Sequence, residues 1–113
     1  MTGKLKPLPS ASLHIVLALL DGEAHGYALM GRVTELSEGA VRMGPGTLYG
    51  TLNRLVEDGL IEETTDRTRR DDSERRRYYQ LTPNGRAVAR GEIDRLQGLV
   101  HRFATHLRGG ATA

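Results

Sequence analysis

The chain of 113 residues has no cysteine and no tryptophan, a single phenylalanine and four prolines. Without cysteine there is no disulfide, no zinc finger and no thiolate nucleophile. The longest apolar run, Ile15 to Leu20, falls far short of the ~20 residues of a membrane-spanning helix. Lys4 and Lys6 near the start are not followed by a signal-type apolar stretch and cleavage site. The expected location is therefore cytoplasmic, with no membrane partner. No glycine-rich phosphate loop, Ser/His/Asp grouping or paired carboxylate stands out. His14 and His25 lie apart from His101 and His106, and a spacing of five takes the latter two off a common helix face. No metal, no cofactor and no enzymatic activity are expected.

Hydrophobic residues make up 38% of the chain, enough for one domain with one modest core. A core of that size often gains stability from a second subunit. The net charge is +2 and the pI about 9.3, so the distribution of charge matters more than its total.

Residues 1–9, with Gly3, Pro7 and Pro9, read as a flexible arm. Ser10 or Ser12 can cap a first helix, on which Leu13, Val16, Leu17 and Leu20 recur at helical spacing. Ile15 and Leu19 take its other side. A helix apolar on both sides is buried on both, which predicts that Ile15 and Leu19 meet a second subunit. Asp21-Gly22 ends that helix, and Ala24-His25-Gly26 reads as a short connection. A second helix is predicted from Tyr27 to about Ser37, with Leu29, Met30, Val33 and Leu36 as its stripe. Pro45 suits the first position of a third helix, which runs to Asp58 with Leu48, Leu52, Leu55 and Val56 inward. Gly59 fits the left-handed position just beyond it. Leu60 to Thr65 and Arg77 to Leu81 are strand candidates flanking a charged loop. Thr82-Pro83 then opens a last helix reaching about Leu107. Its apolar positions Ala89, Ile93, Leu96, Val100, Phe103 and Leu107 form a heptad seam.

The third helix has a free polar face. At 100° per residue, Gly46, Gly50, Asn53, Arg54 and Glu57 lie opposite Leu48, Leu52 and Leu55, with Thr47 and Tyr49 on the flanks. Asn suits adenine and Arg suits guanine in the major groove. The hydroxyls of Thr47 and Tyr49, with the helix N-terminus, suit phosphate. Alone, such a face is usually just solvated. The loop beside it carries Arg67, Arg69, Arg70, Arg75, Arg76 and Arg77 against Asp71, Asp72 and Glu74. At the tip of a hairpin after such a helix, these arginines form the expected clamp on a DNA backbone. Tyr78 and Tyr79 point to opposite faces of their strand.

The motifs LALLDGEAHGYALMGRV, PGTLYGTLNRLVEDGLIE and RRRYYQLTPNG together resemble the PadR family of transcriptional regulators and cover most of residues 13–90. The resemblance implies a winged helix-turn-helix followed by a helix that pairs two subunits. It implies a repressor of near-palindromic operators, released in many members by a small molecule. Carried over, it places Thr47, Tyr49, Gly50, Asn53 and Arg54 on the DNA recognition helix. Tyr27, Arg67, Arg69, Arg70, Arg75 and Arg76 become backbone or wing contacts. The chain departs from the family at Gly50, where a long polar side chain is common. Phe103 alone is available on the seam for an aromatic cage.

The expected fold is thus mainly α with a small β-hairpin. It comprises an arm (1–9), a winged helix-turn-helix (10–82), a dimerisation helix (83–108) and a disordered tail (109–113). The predicted partners are double-stranded DNA, a second copy through Ile15, Leu19, Ile93, Leu96, Val100, Phe103 and Leu107, and an unidentified small-molecule effector. Two rivals differ in kind. A winged-helix protein-interaction module would not need the arginines of the wing. An RNA reader would call for stacking aromatics that this chain has few of.

Overall fold

A computed structural model describes residues 6–64 and 77–112. Four helices and three short strands follow one another: α1 (Ser10–Leu19), β1 (Ala24–His25), α2 (Gly26–Leu36), α3 (Pro45–Glu57), β2 (Ile61–Thr64), β3 (Tyr78–Leu81) and α4 (Pro83–Thr112). The strands form one antiparallel sheet in the order β1-β3-β2. Ala24 pairs with Tyr79 on one side of β3, and Ile61 and Glu63 pair with Leu81 and Tyr79 on the other. The expected hairpin therefore gains a third strand. A two-residue strand is too short to show alternation, so Ala24-His25 reads as a connection until β3 supplies its hydrogen-bonding partner.

The core lies where α1, α2 and α3 meet the sheet. Ile15, Val16, Leu19, Leu29, Val33, Leu48, Leu52, Leu55 and Ile61 are all but completely enclosed. Their placement corrects the first-helix expectation. Ile15 is 0% and Leu19 2% exposed within a single chain, so neither can meet a second subunit. The cause is that α1 packs against α2, α3, α4 and β3 at once. What α1 leaves uncovered is the opposite stripe, with Leu13 and Leu17 half-buried and Leu20 exposed. On α3, Val56 is exposed rather than inward. The buried row runs at i, i+4 and i+7 through Leu48, Leu52 and Leu55, and one further residue turns 100° away from it.

The join between α3, β2 and α4 is fastened by one threonine and two glycines. Gly59 takes a φ of 76° just past α3, a conformation that costs glycine little. The Thr82 hydroxyl donates to the Gly59 carbonyl at 2.6 Å and accepts from the Gly85 amide at 2.9 Å. The Thr82 amide donates to the Leu60 carbonyl at 3.0 Å. A Cβ at Gly85 would run into the Leu60 carbonyl oxygen, so only glycine lets α4 start this close to β2. That fixes the direction in which α4 leaves the domain.

From there α4 runs as a single 30-residue helix, about 45 Å long at 1.5 Å per residue. It passes Leu107 and continues through Gly109-Gly110, so the expected end and disordered tail are corrected up to Thr112. Glycine weakens a helix by roughly 1 kcal/mol per residue but keeps its N–H, and unlike proline it does not force a stop. Among the described residues, only the first part of α4 packs against the rest of the chain. Ala89 and Glu92 are buried, Ile93 and Leu96 half-buried, and Leu99, Val100, Phe103 and Leu107 exposed. In the described part of the arm, Leu8 packs against the core. Among the described residues, no helix is long and apolar enough to cross a membrane.

Candidate nucleic-acid interface

The outward side of α3 carries Thr47, Tyr49, Gly50, Asn53 and Arg54, all exposed. The α-helical period that buries Leu48, Leu52 and Leu55 puts them there. Gly44 precedes the helix without a side-chain cap, and the first intrahelical bond is Leu48 N–H to the Gly44 carbonyl at 3.0 Å. Pro45 has no N–H to offer. The amides of Gly46 and Thr47 are therefore the orphan donors of an uncapped, exposed helix start, a favourable place for an anion. A Cβ at Gly50 would meet open space, so packing within the chain does not demand glycine there.

Beside α3 lies a recess of about 600 Å³ lined by His25, Gly26, Tyr27, Tyr49, Asn53, Arg77 and Tyr79. Three elements build it. At the start of α2, the His25 ring accepts the Ala28 amide at 3.1 Å through Nδ1 and so caps the helix. The same ring meets Tyr78 edge-on, with centroids 5.4 Å apart. Gly26 is the floor on which the Tyr49 ring rests. A Cβ there would come within 2.6 Å of the Tyr49 hydroxyl oxygen. Tyr27, the next residue, stands clear of the domain at 73% exposure. From the sheet come Tyr79 and Arg77. The Tyr79 phenol is held above its ordinary value near 10, first by burial and then by the Glu63 carboxylate, while Arg77, which hydrogen-bonds to it, pulls the other way. Tyr79 therefore stays a neutral phenol at physiological pH. Arg77 itself reaches Glu63, with Nε 3.2 Å from Oε2.

Five expected DNA residues thus share one side of the domain with the recess, and Tyr27 joins them across it. The wing residues Arg67, Arg69, Arg70, Arg75 and Arg76 lie outside the described residues. The expected interface residues divide. Val100, Phe103 and Leu107 are exposed on α4, Ile93 and Leu96 are partly covered, and Ile15 and Leu19 belong to the core. Sequence reasoning missed His25 as a cap, because capping is sought among Ser, Thr, Asp and Asn. It also left Gly26 and Tyr79 unassigned to the site. Strand alternation, which sets residues 77, 79 and 81 on one face, was the signal that could have joined Arg77 to Tyr79.

The Gly26–Tyr49 contact can be tested apart from stability. Gly26→Ala should push the Tyr49 ring outward. That ring is already half-exposed and flexible, so the melting temperature should move by only a few degrees for a cost of about 1 kcal/mol. If the Tyr49 hydroxyl holds a DNA phosphate in each half of a dimer, as the sequence leads one to expect, DNA affinity should fall at least about tenfold. Paired thermal melts and duplex titrations read the two effects. A variant that binds as the parent does would show that the Tyr49 position is immaterial.

Residues 16–91 match the model of the transcriptional regulator PadR-like family. A transcriptional regulator of Mycobacterium tuberculosis is 38% identical over 103 residues, which span 88% of this chain and 91% of that protein. Among solved structures, a PadR family transcription regulator of Clostridium difficile superposes with a TM-score of 0.69 at 21% identity, covering 88% of this chain and 99% of the other. The Bordetella bronchiseptica protein BpsR, whose DNA binding is regulated by 6-hydroxynicotinic acid, superposes with a TM-score of 0.65 at 20% identity, covering 84% and 64%. At these identities the two structures speak for the fold.

Proposed function

We propose, for a chain that belongs to the PadR-like family of transcriptional regulators, that it represses transcription as a homodimer, each subunit laying α3 in the major groove of a pseudo-palindromic operator. It is a regulator and not an enzyme. The observation that carries the reading is the outward face of α3. Thr47, Asn53 and Arg54 stand exposed on a helix whose start is uncapped. Asn53 and Arg54 read base edges, adenine and guanine being their best partners. Thr47, Tyr49 and Tyr27 hold the sugar-phosphate backbone and set the register. Arg67, Arg69, Arg70, Arg75 and Arg76 supply sequence-independent attraction from the wing.

Dimerisation runs through α4. Beyond Leu96 its apolar side has no cover among the described residues, and the leftover stripe Leu13, Leu17 and Leu20 of α1 adds to the surface a partner helix would bury. The small-molecule effector enters from the family resemblance, and BpsR is a fold neighbour whose DNA binding is regulated in that way. Selection of retained fragments from a random duplex pool tests the proposal. The recovered site should be a pseudo-palindrome with half-sites about one helical turn apart, roughly 10 base pairs, or a multiple of that. Single asymmetric sites bound at full affinity would contradict it.

A further inference from the structure

Two acidic residues on β2 sit oddly in a DNA-facing wing. Glu62 and Glu63 are neighbours, so they point to opposite faces of the strand. Glu62 accepts a hydrogen bond from the Gln80 side chain at 2.7 Å. Glu63 lies opposite Tyr79 in the register, and its Oε2 takes the Nε of Arg77 at 3.2 Å. Arg77 is a wall of the recess, whose other walls include Tyr27, Tyr49, Asn53 and Tyr79, and it also hydrogen-bonds to Tyr79. The one Arg or Lys among the described recess residues is therefore already bound to a carboxylate of its own chain.

The pair is built to let go. Its contact is longer than the 2.7–2.9 Å typical of a strong N⁺–H···O⁻ bond. The Arg77 side chain is 72% exposed and that of Glu63 42%, and exposed pairs of this kind hold loosely. A phosphate can engage Nε and an Nη of the same guanidinium together, in the fork geometry that arginine offers. Arg77 can therefore turn from Glu63 to the backbone with little loss, but the loss is not zero.

We propose that Glu63 is a built-in competitor of the DNA phosphate for Arg77, and that this competition sets how tightly the wing side of the site holds DNA of any sequence. The inference rests on the DNA-binding reading above. Because phosphate contacts carry no sequence information, the competition lowers affinity for operator and unrelated duplex by the same factor. Glu63 is a positioning residue: it acts through Arg77 and touches no base.

The test is a double-mutant cycle read by duplex titration at fixed low salt, on full-length protein whose melting temperature is checked first. Glu63→Gln keeps the shape and removes the charge. It should tighten binding about three- to thirtyfold for a dimer presenting two such pairs, on operator and scrambled duplex alike. In an Arg77→Ala background the same change should give less than about twofold, the residue of plain charge repulsion screened by salt. Glu62→Gln deletes an equal charge one residue away and supplies the control, with a gain of about twofold or less. Equal gains from Glu63→Gln with and without Arg77 would overturn the competition, as would no gain or a loss. Failure of the parent protein to bind duplex at low salt would instead remove the DNA-binding reading itself.

Discussion

Val100→Asp should give a folded monomer that has lost its operator. Val100 is 66% exposed in the isolated chain, so an aspartate there costs the fold little. In a seam formed with a second α4 the same side chain is buried, unpaired and present twice by symmetry. Each copy costs about 3 kcal/mol or more, and two copies weaken the dimer by at least roughly four powers of ten. One subunit alone also forfeits the linked second half-site, which is worth about 10²–10⁴ in affinity. Sedimentation with circular dichroism should show a monomer of unchanged helix content. Persistence of the dimer at micromolar concentration would mean that another surface pairs the subunits. Ile15 and Leu19 give the contrast: a charge at either should unfold the chain instead of splitting a dimer, because both are core.

How much of this was legible beforehand depends on the range of the forces involved. The helix boundaries set by Pro45, Gly59 and Thr82 were visible because capping and backbone conformation are local. The free face of α3 was visible because a 3.6-residue period needs no knowledge of the rest of the fold. Which side of α1 faces inward was not visible. Leu13, Val16, Leu17 and Leu20 form as good a stripe as Ile15 and Leu19, and only the positions of α2, α3 and α4 decide between them. The same limit hid β1, whose two residues become a strand only when β3 lies alongside. It also hid the recess. The contact between Gly26 and Tyr49 joins residues 23 apart in the chain, and the pair of Arg77 with Glu63 joins two strands across the wing. The glycine of the HGY motif then has a steric cause, as does the glycine of TPNG, where the Leu60 carbonyl leaves no room for a side chain.

Whether the outward face of α3 reads base sequence is tested most directly at Asn53 and Arg54. Each is exposed, so alanine at either position should leave folding within about 0.5 kcal/mol. A bidentate base contact is worth about 1–3 kcal/mol of discrimination. Across two half-sites this becomes about 2–6 kcal/mol, a loss of at least roughly thirtyfold. The decisive measurement is the ratio of affinities for the selected operator and a scrambled duplex of equal length and salt, for the parent, Asn53→Ala and Arg54→Ala. The ratio should collapse at least about thirtyfold in either variant while scrambled-duplex binding changes by less than about threefold. An undiminished ratio in both variants would contradict it and place sequence reading elsewhere on the protein.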